Sequence, residues 1–523
     1  MKVMSNDYAR RAAPAAELLP AANGQAGQDG HAPVLKPIGA AVTSAGLARR
    51  AADARALAES LPARGVGAVA ITIVDNAGIA RVKTVPVTGL EHATRWGVGL
   101  SPVYGVATVD ESFTSTASVG GPTGDLRLMP DPAALRILTA QPGWAWVPAD
   151  QYTQNGRQFG CCQRSFARRM ADLAGLRHLE IRVGSEIEWF LGCDDRRDHH
   201  GAPVPAHTGP GYGLAVLAGL GDYASGLISA LSESGVRIGQ FHPEYAPGQL
   251  EVSLPPADPV QAADLAVFAR HIIRSHSARH GWRASFSPVV VPGQIGNGGH
   301  LHVSVWRHGR NLLAGGAGPH GMTEDGQAFV AGVLDQLPAL TAIGAPSAAS
   351  YLRLQPSRWA GAFACWGHEN REAALRFIAG LTGSQPEAAN FEIKCFDQAA
   401  NPYLVIGSVI AAGLAGIERR LALPPEVTGD PGIDLTPGQR VHIAGRLPES
   451  LDHALAALRR SDVIPPAMGP MLYDAFTAVR AAEAETFHGQ DPDTIAAAHR
   501  GSTDLAYGPF AFLYASWMKR RQV

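Results

Sequence analysis

Residues 184–191 read GSEIEWFL, with Glu186 and Glu188 separated by one isoleucine. In a strand, residues i and i+2 face the same side, so the two carboxylates aim together while Ile187 points away. Neighbouring carboxylates repel, and one must hold a proton unless a cation sits between them. The stretch 240–254, QFHPEYAPGQLEVSL, carries Glu244 and Glu251 on either side of a Pro-Gly loop; two strands joined there would return one acid toward the other. In GNGGHLHVSVW, 296–306, His300, His302 and Ser304 alternate with Leu301, Val303 and Val305. That is strand periodicity, and the preceding glycines let backbone approach a ligand. Taken singly, each stretch also reads as a solvated strand face or a structural histidine. Together, several carboxylates with imidazole suit Mg²⁺ or Mn²⁺ better than zinc, which wants more N or S ligands. Mg²⁺ held by carboxylates with open positions usually meets phosphate.

A basic group follows. Arg353 lies in YLRLQPSRW, Arg371 and Arg376 in HENREAALR, and Glu392, Lys394 and Asp397 in FEIKCFD. Guanidinium binds phosphate or carboxylate in bidentate fashion. No G-x-x-x-x-G-K-[ST] occurs, which excludes a P-loop.

The elements that carry these groups are legible in outline. A chain of 523 residues points to two or more domains. Residues 1–44, rich in Ala, Gly and Pro, read as a disordered extension. A helix over 45–60, strands on both sides of the NAG turn at 76–78, and a short helix at 90–97 give an α+β unit, with its boundary placed at 150. From 151 to 523, strands alternate with amphipathic helices, and the last hundred residues are helical. LVIGSVIAAGLAGI, 404–417, is too short to span a bilayer and reads as a buried helix. A net charge of −2 gives no electrostatic case for nucleic acid or an anionic membrane. Five cysteines without a CxxC pair read as reduced thiols, and no signal peptide is visible, so the expected compartment is the cytoplasm.

In this order, GSEIEWFL, HPEYAPGQLEV, GNGGHLHVSVW, NREAALR and FDQAANPYLVIGSVIAAGLAGIE, with LPESLDHALAAL further on, resemble the glutamine synthetase family. The resemblance implies an α+β fold: an N-terminal β-grasp domain (45–150, with its preceding helix) and a catalytic α/β domain (151–523) built on a curved antiparallel sheet. It implies ATP with Mg²⁺ or Mn²⁺, glutamate and an amine as substrates, and a homo-dodecamer of two hexameric rings with active sites between subunits. Carried over by motif, Glu188, Glu244 and Glu251 look like ligands of one metal. Glu186 and His300 look like ligands of a second, and Glu392 joins the metal set. His302 and Ser304 match nucleotide contacts, and Arg371 and Arg376 match phosphate-binding arginines. Arg353 matches the arginine that grips glutamate, and Gly296 matches a loop glycine whose backbone meets it. Asp110, in ATVDESF, aligns loosely with an acid lent by a neighbouring subunit.

Three departures bear on specificity. Six residues after Arg353, where the family carries a glutamate that helps bind ammonium, this sequence has Trp359. Indole cannot accept a proton but offers an apolar wall and a cation–π face. Lys394 stands where the family has arginine, in a chain with five lysines against 39 arginines. Ile295 replaces a common asparagine beside Gly296. Residues 404–446 also lack the tyrosine that is adenylylated in one regulated subclass. The expectation is an ATP-dependent ligase joining the γ-carboxylate of glutamate to an organic amine, such as ethanolamine or a polyamine, through a γ-glutamyl phosphate. The alternatives are an ordinary glutamine synthetase using ammonia, and a catalytically inactive member with a structural or regulatory role.

Overall fold

The computed structural model describes residues 43–197 and 202–502. Most of the expected extension, residues 1–44, lies outside the described residues. The first helix is Ser44–Ser60, its N-terminus capped by the Thr43 hydroxyl. Strands Ala68–Val74 and Ala80–Pro86 form the expected antiparallel pair. They belong to a six-stranded sheet in which Ala68–Val74 also pairs in parallel with Trp144–Thr153. Leu126–Pro130 and Val98–Leu100 complete that side in antiparallel order. The helix Leu90–Trp96 and Ala54 of the first helix pack on Val69, Ile71 and Val147, giving this sheet its own apolar core. Residue 150, the expected boundary, falls inside the strand Trp144–Thr153.

The second sheet has eleven strands among the described residues. Its path runs Gly445–Arg446, Phe363–His368, Ala373–Ile378, Asn390–Ile393, Leu301–Arg307, Glu180–Arg197, Gln249–Ala257 and Gln240–Pro243. Pairing along it is antiparallel except between Phe363–His368 and Ala373–Ile378, which run parallel. The long helices Pro259–Arg279, Glu324–Gly344 and Pro402–Arg419 are mostly buried. Pro402–Arg419 is long and apolar enough to cross a membrane by composition, but 72% of it is buried inside the structure, which makes it a core helix. Its N-terminus is capped by Asn401, with Pro402 at the first turn. The chain then continues through helices Leu451–Arg460, Pro470–Phe487 and Pro492–Ser502.

Candidate active site

Strand register assembles the site. Glu251 pairs with Glu188 on one side and with His242 on the other. Arg376 pairs with Glu392, Glu392 with His302, and His302 with Gly184. Directly opposed residues share a face, so segments far apart in sequence form one polar surface. The intervening positions Val183, Ile187, Trp189, Val252, Val303 and Leu375 are all buried on the opposite face. Two acids sit two apart inside an apolar run because one strand face is core and the other is a site.

Two tight groups stand on that surface. In one, His242, Glu244 and Glu251 each offer a ligand atom within 4.8 Å of the others; in the second, Glu186, His302 and Glu392 do the same. His300 adjoins the second group, its Nδ1 3.1 Å from both Glu186 and Glu392. Glu188 lies nearby, with Oε2 accepting from Gln249 Nε2 at 2.7 Å and from the Gly298 N–H at 2.8 Å. The imidazole grouped with Glu244 and Glu251 is His242, 3.3 Å from each. His302, expected at the nucleotide, has Nε2 3.2 Å from Glu186. His242 Nδ1 and His302 Nε2 are buried beside carboxylates but lack hydrogen-bond alignment. Buried imidazole nitrogens turned on carboxylate oxygens are a donor set that a divalent cation satisfies, so these residues fit the expected metals.

The electrostatics agree. Burial, reinforced by the charges of Glu186 and Glu188, pushes the Glu251 carboxyl up to about 7 against the opposing pull of His242. Glu244 is also raised, first by burial and then by Glu188. For His300, burial and Lys394 act downward, but hydrogen bonds to Glu186 and Glu392 raise it to about 9. Burial works against ionisation of Glu186, yet the two histidines hold it well below the usual carboxylate range.

The groups open into a cavity of about 880 Å³. Of the expected residues, Glu186, Glu188, Glu244, Glu251, His300, Glu392, Gly296, Arg353, Trp359, Arg371, Arg376 and Lys394 line it. Glu392 is held by Lys394 Nζ at 3.1 Å and by Arg376 Nη1 at 3.2 Å. Buried Arg353 donates to the carbonyls of Phe396 and Lys394. A Cβ on Gly298 would lie 2.4 Å from His300 Nε2 and 2.8 Å from Arg353 Nη2, and one on Gly296 would lie 2.0 Å from the Pro288 carbonyl. Glycine alone lets this loop pass so near the site. The Gly296 carbonyl accepts from Gln249.

Three expected residues do not line the cavity: Asp110, His302 and Ser304. The Ser304 hydroxyl accepts from the Trp306 indole at 2.9 Å. The Asp110 carboxylate is taken up by Thr108 and Ser112 on its own loop.

At the mouth stands an aromatic file that the sequence reading had in only one member. Trp359, 55% exposed, meets Tyr245 edge-on with ring centroids 5.6 Å apart. Tyr245 meets Tyr212 at 5.8 Å, and Tyr212 stacks at a tilt on His242 at 4.9 Å. The Tyr212 hydroxyl donates to Glu244. Exposed Ile295 also lines the cavity. Of the residues overlooked in the sequence, His242 and Gln249 had a signal, since each stands two positions from a singled-out glutamate. Tyr212 had none, because its approach depends on the path of a loop.

Comparison with known proteins agrees with this geometry. Residues 160–495 match the model of the glutamine synthetase catalytic domain. The chain is 50% identical over 448 residues to the gamma-glutamylpolyamine synthetase GlnA3 of Streptomyces coelicolor, covering 86% of this chain and 96% of that one. It is 30% identical to the glutamine synthetase of Methanococcus maripaludis over 74% of this chain and 84% of the relative. A solved structure described as a novel glutamine synthase homolog superposes with a TM-score of 0.74 at 31% identity, over 84% of this chain and 98% of that one. A GmaS/ADP complex superposes with a TM-score of 0.73 at 28% identity, over 83% and 97%. The chain belongs to the glutamine synthetase family and is a ligase of that family.

Proposed function

We propose that this ligase uses ATP to join the γ-carboxylate of glutamate to an organic amine, with a polyamine as the acceptor class. The observation that carries the reading is the aromatic rim: Trp359 occupies the position where the family's ammonium-binding glutamate is expected, and Tyr245 packs edge-on against it. Such a wall favours an acceptor with a carbon skeleton and a distal cation. The 50% identity to a gamma-glutamylpolyamine synthetase supports the same choice; ethanolamine is the smaller alternative.

In this reading, Arg353 and Lys394 hold the carboxylates of glutamate while Arg371 and Arg376 take the phosphate oxygens. The γ-phosphoryl group passes from ATP to the glutamate γ-carboxylate, and ADP leaves. The amine nitrogen then bonds to the acyl carbon of the γ-glutamyl phosphate, the acyl C–O bond breaks, and the proton the amine sheds leaves on the departing phosphate. Two divalent cations, Mg²⁺ or Mn²⁺, held by Glu188, Glu244 and Glu251 with His242, and by Glu186, His300 and Glu392, would supply charge neutralisation for phosphoryl transfer. His302 stands against Glu186 as a supporting or additional ligand, and Ser304 belongs with the nucleotide side. Asp110 points to sites shared between subunits, in a dodecamer of two hexameric rings. All five thiols are free, which supports a cytoplasmic setting.

The test is phosphate release by purified protein with ATP, Mg²⁺ and glutamate across ammonia, methylamine, ethanolamine, putrescine and spermidine. The highest kcat/KM with a polyamine is expected. The highest value with ammonia would leave ordinary glutamine synthesis as the activity.

A further inference from the structure

Trp359 sits on an exposed loop yet is not free to swing. Ser357 and Trp359 both occupy the left-handed region, with φ of 56° and 55°. Non-glycine residues hold that conformation only where surrounding contacts impose it. The contacts come from one side chain. Buried Glu372 accepts the Ser357 N–H on Oε1 at 2.8 Å and the Trp359 N–H on Oε2 at 2.7 Å. Between the two, Arg358 donates to the Gly293 carbonyl at 3.2 Å, tying the loop to the segment that carries Ile295 and Gly296. Glu372 itself does not line the cavity.

We infer that Glu372 is a specificity-determining positioning residue: it clamps residues 357–359 so that the Trp359 and Tyr245 rings form a fixed face for the distal ammonium of the acceptor amine. This rests on the organic-amine reading above. A carboxylate suits the task because both its oxygens accept, and two N–H groups are presented to it. A glutamine in its place offers one acceptor oxygen and an NH₂ group, so one N–H loses its partner. An indole fixed in advance binds a cation without first losing loop freedom. The negative charge of Glu372 is spent on backbone, and the cation is left to the ring faces and to Glu244 beyond Tyr212.

The experiment is a steady-state comparison of wild type, Glu372→Gln, Glu372→Asp, Trp359→Ala and the double variant Glu372→Gln/Trp359→Ala, with Tm recorded for each. In Glu372→Gln, KM for the best polyamine should rise about three- to tenfold. The kcat and the KM values for ATP and glutamate should stay within about twofold, because the clamp touches neither substrate. Glu372→Asp should fall between Glu372→Gln and wild type. The double variant should be no worse than Trp359→Ala, since the two residues act through one another. Additive losses, or an equal rise in KM for glutamate, would overturn the clamp. Should Glu372→Gln not fold, Trp359→Ala decides: an unchanged polyamine KM there overturns the inference. Wild type that makes no γ-glutamyl amide at all refutes the organic-amine reading instead, so the two failures are distinguishable.

Discussion

The charged surface and the aromatic rim bound the same cavity but are built from different kinds of chain. Glu186, Glu188, Glu251, His302 and Glu392 stand on paired strands, where register dictates which side chains meet. Trp359, Tyr245 and Tyr212 stand on loops, two of them with positive φ, and meet through tertiary contacts. The strand-borne part leaves little room for variation, because a one-residue slip would turn each of these polar side chains into the core. The loop-borne part can change its residues without disturbing the sheet. On the reading proposed above, chemistry common to the family lies on the first and choice of acceptor on the second.

Breaking the strand-borne part should cost most. Glu188→Ala is expected to lower kcat/KM for every amine by at least about a hundredfold, measured by phosphate release. A loss confined to one amine would contradict the division. The pH response of the same surface should also be large. With Glu251 raised to about 7 and His300 to about 9, bound cations must displace protons. Below about pH 7, cation affinity should therefore rise by at least about tenfold per pH unit, with proton release measurable by calorimetry in two buffers. The sign for stability follows from the same shifts. Glu251 is raised from an ordinary 4.5, and His300 from 6.5, so the folded, metal-free protein binds both protons more tightly than the unfolded chain. The contribution of these two groups to metal-free stability should fall as pH rises from about 4.5 to about 9, and Glu251→Gln should remove the part lost between about 4.5 and 7.

The rim should respond selectively. Trp359→Glu restores an acid at the mouth and should raise the ratio of ammonia to polyamine kcat/KM by about tenfold or more. An unchanged ratio would remove Trp359 from the specificity account. Tyr212→Phe sits between the two parts, because its hydroxyl donates to Glu244. It should cost about three- to fivefold in kcat/KM for all amines, a small and unselective effect.

The same contrast explains what could be read in advance. Period-two spacing exposed Glu186, Glu188, His300 and His302, and the Pro-Gly loop between Glu244 and Glu251 offered a return that the antiparallel pairing of Gln240–Pro243 with Gln249–Ala257 makes. The core helix Pro402–Arg419 was equally plain from its apolar pattern. His242 escaped notice although its spacing to Glu244 was the same as that of Glu186 to Glu188. Glu372 and Tyr212 were beyond reach, because each acts on residues brought near only by the path of a loop. The parallel pairing of Phe363–His368 with Ala373–Ile378 and the passage of a strand through residue 150 are long-range outcomes that local pattern does not encode.

If the rim selects the acceptor, it should favour an organic amine over ammonia. The direct measurement is a competition: purified protein with ATP, Mg²⁺, glutamate and equimolar ammonia and spermidine, with products quantified by mass spectrometry. The account predicts that γ-glutamylspermidine predominates over glutamine. Glutamine as the main product would contradict it, and would mean that the cavity accepts ammonium without a carboxylate at position 359.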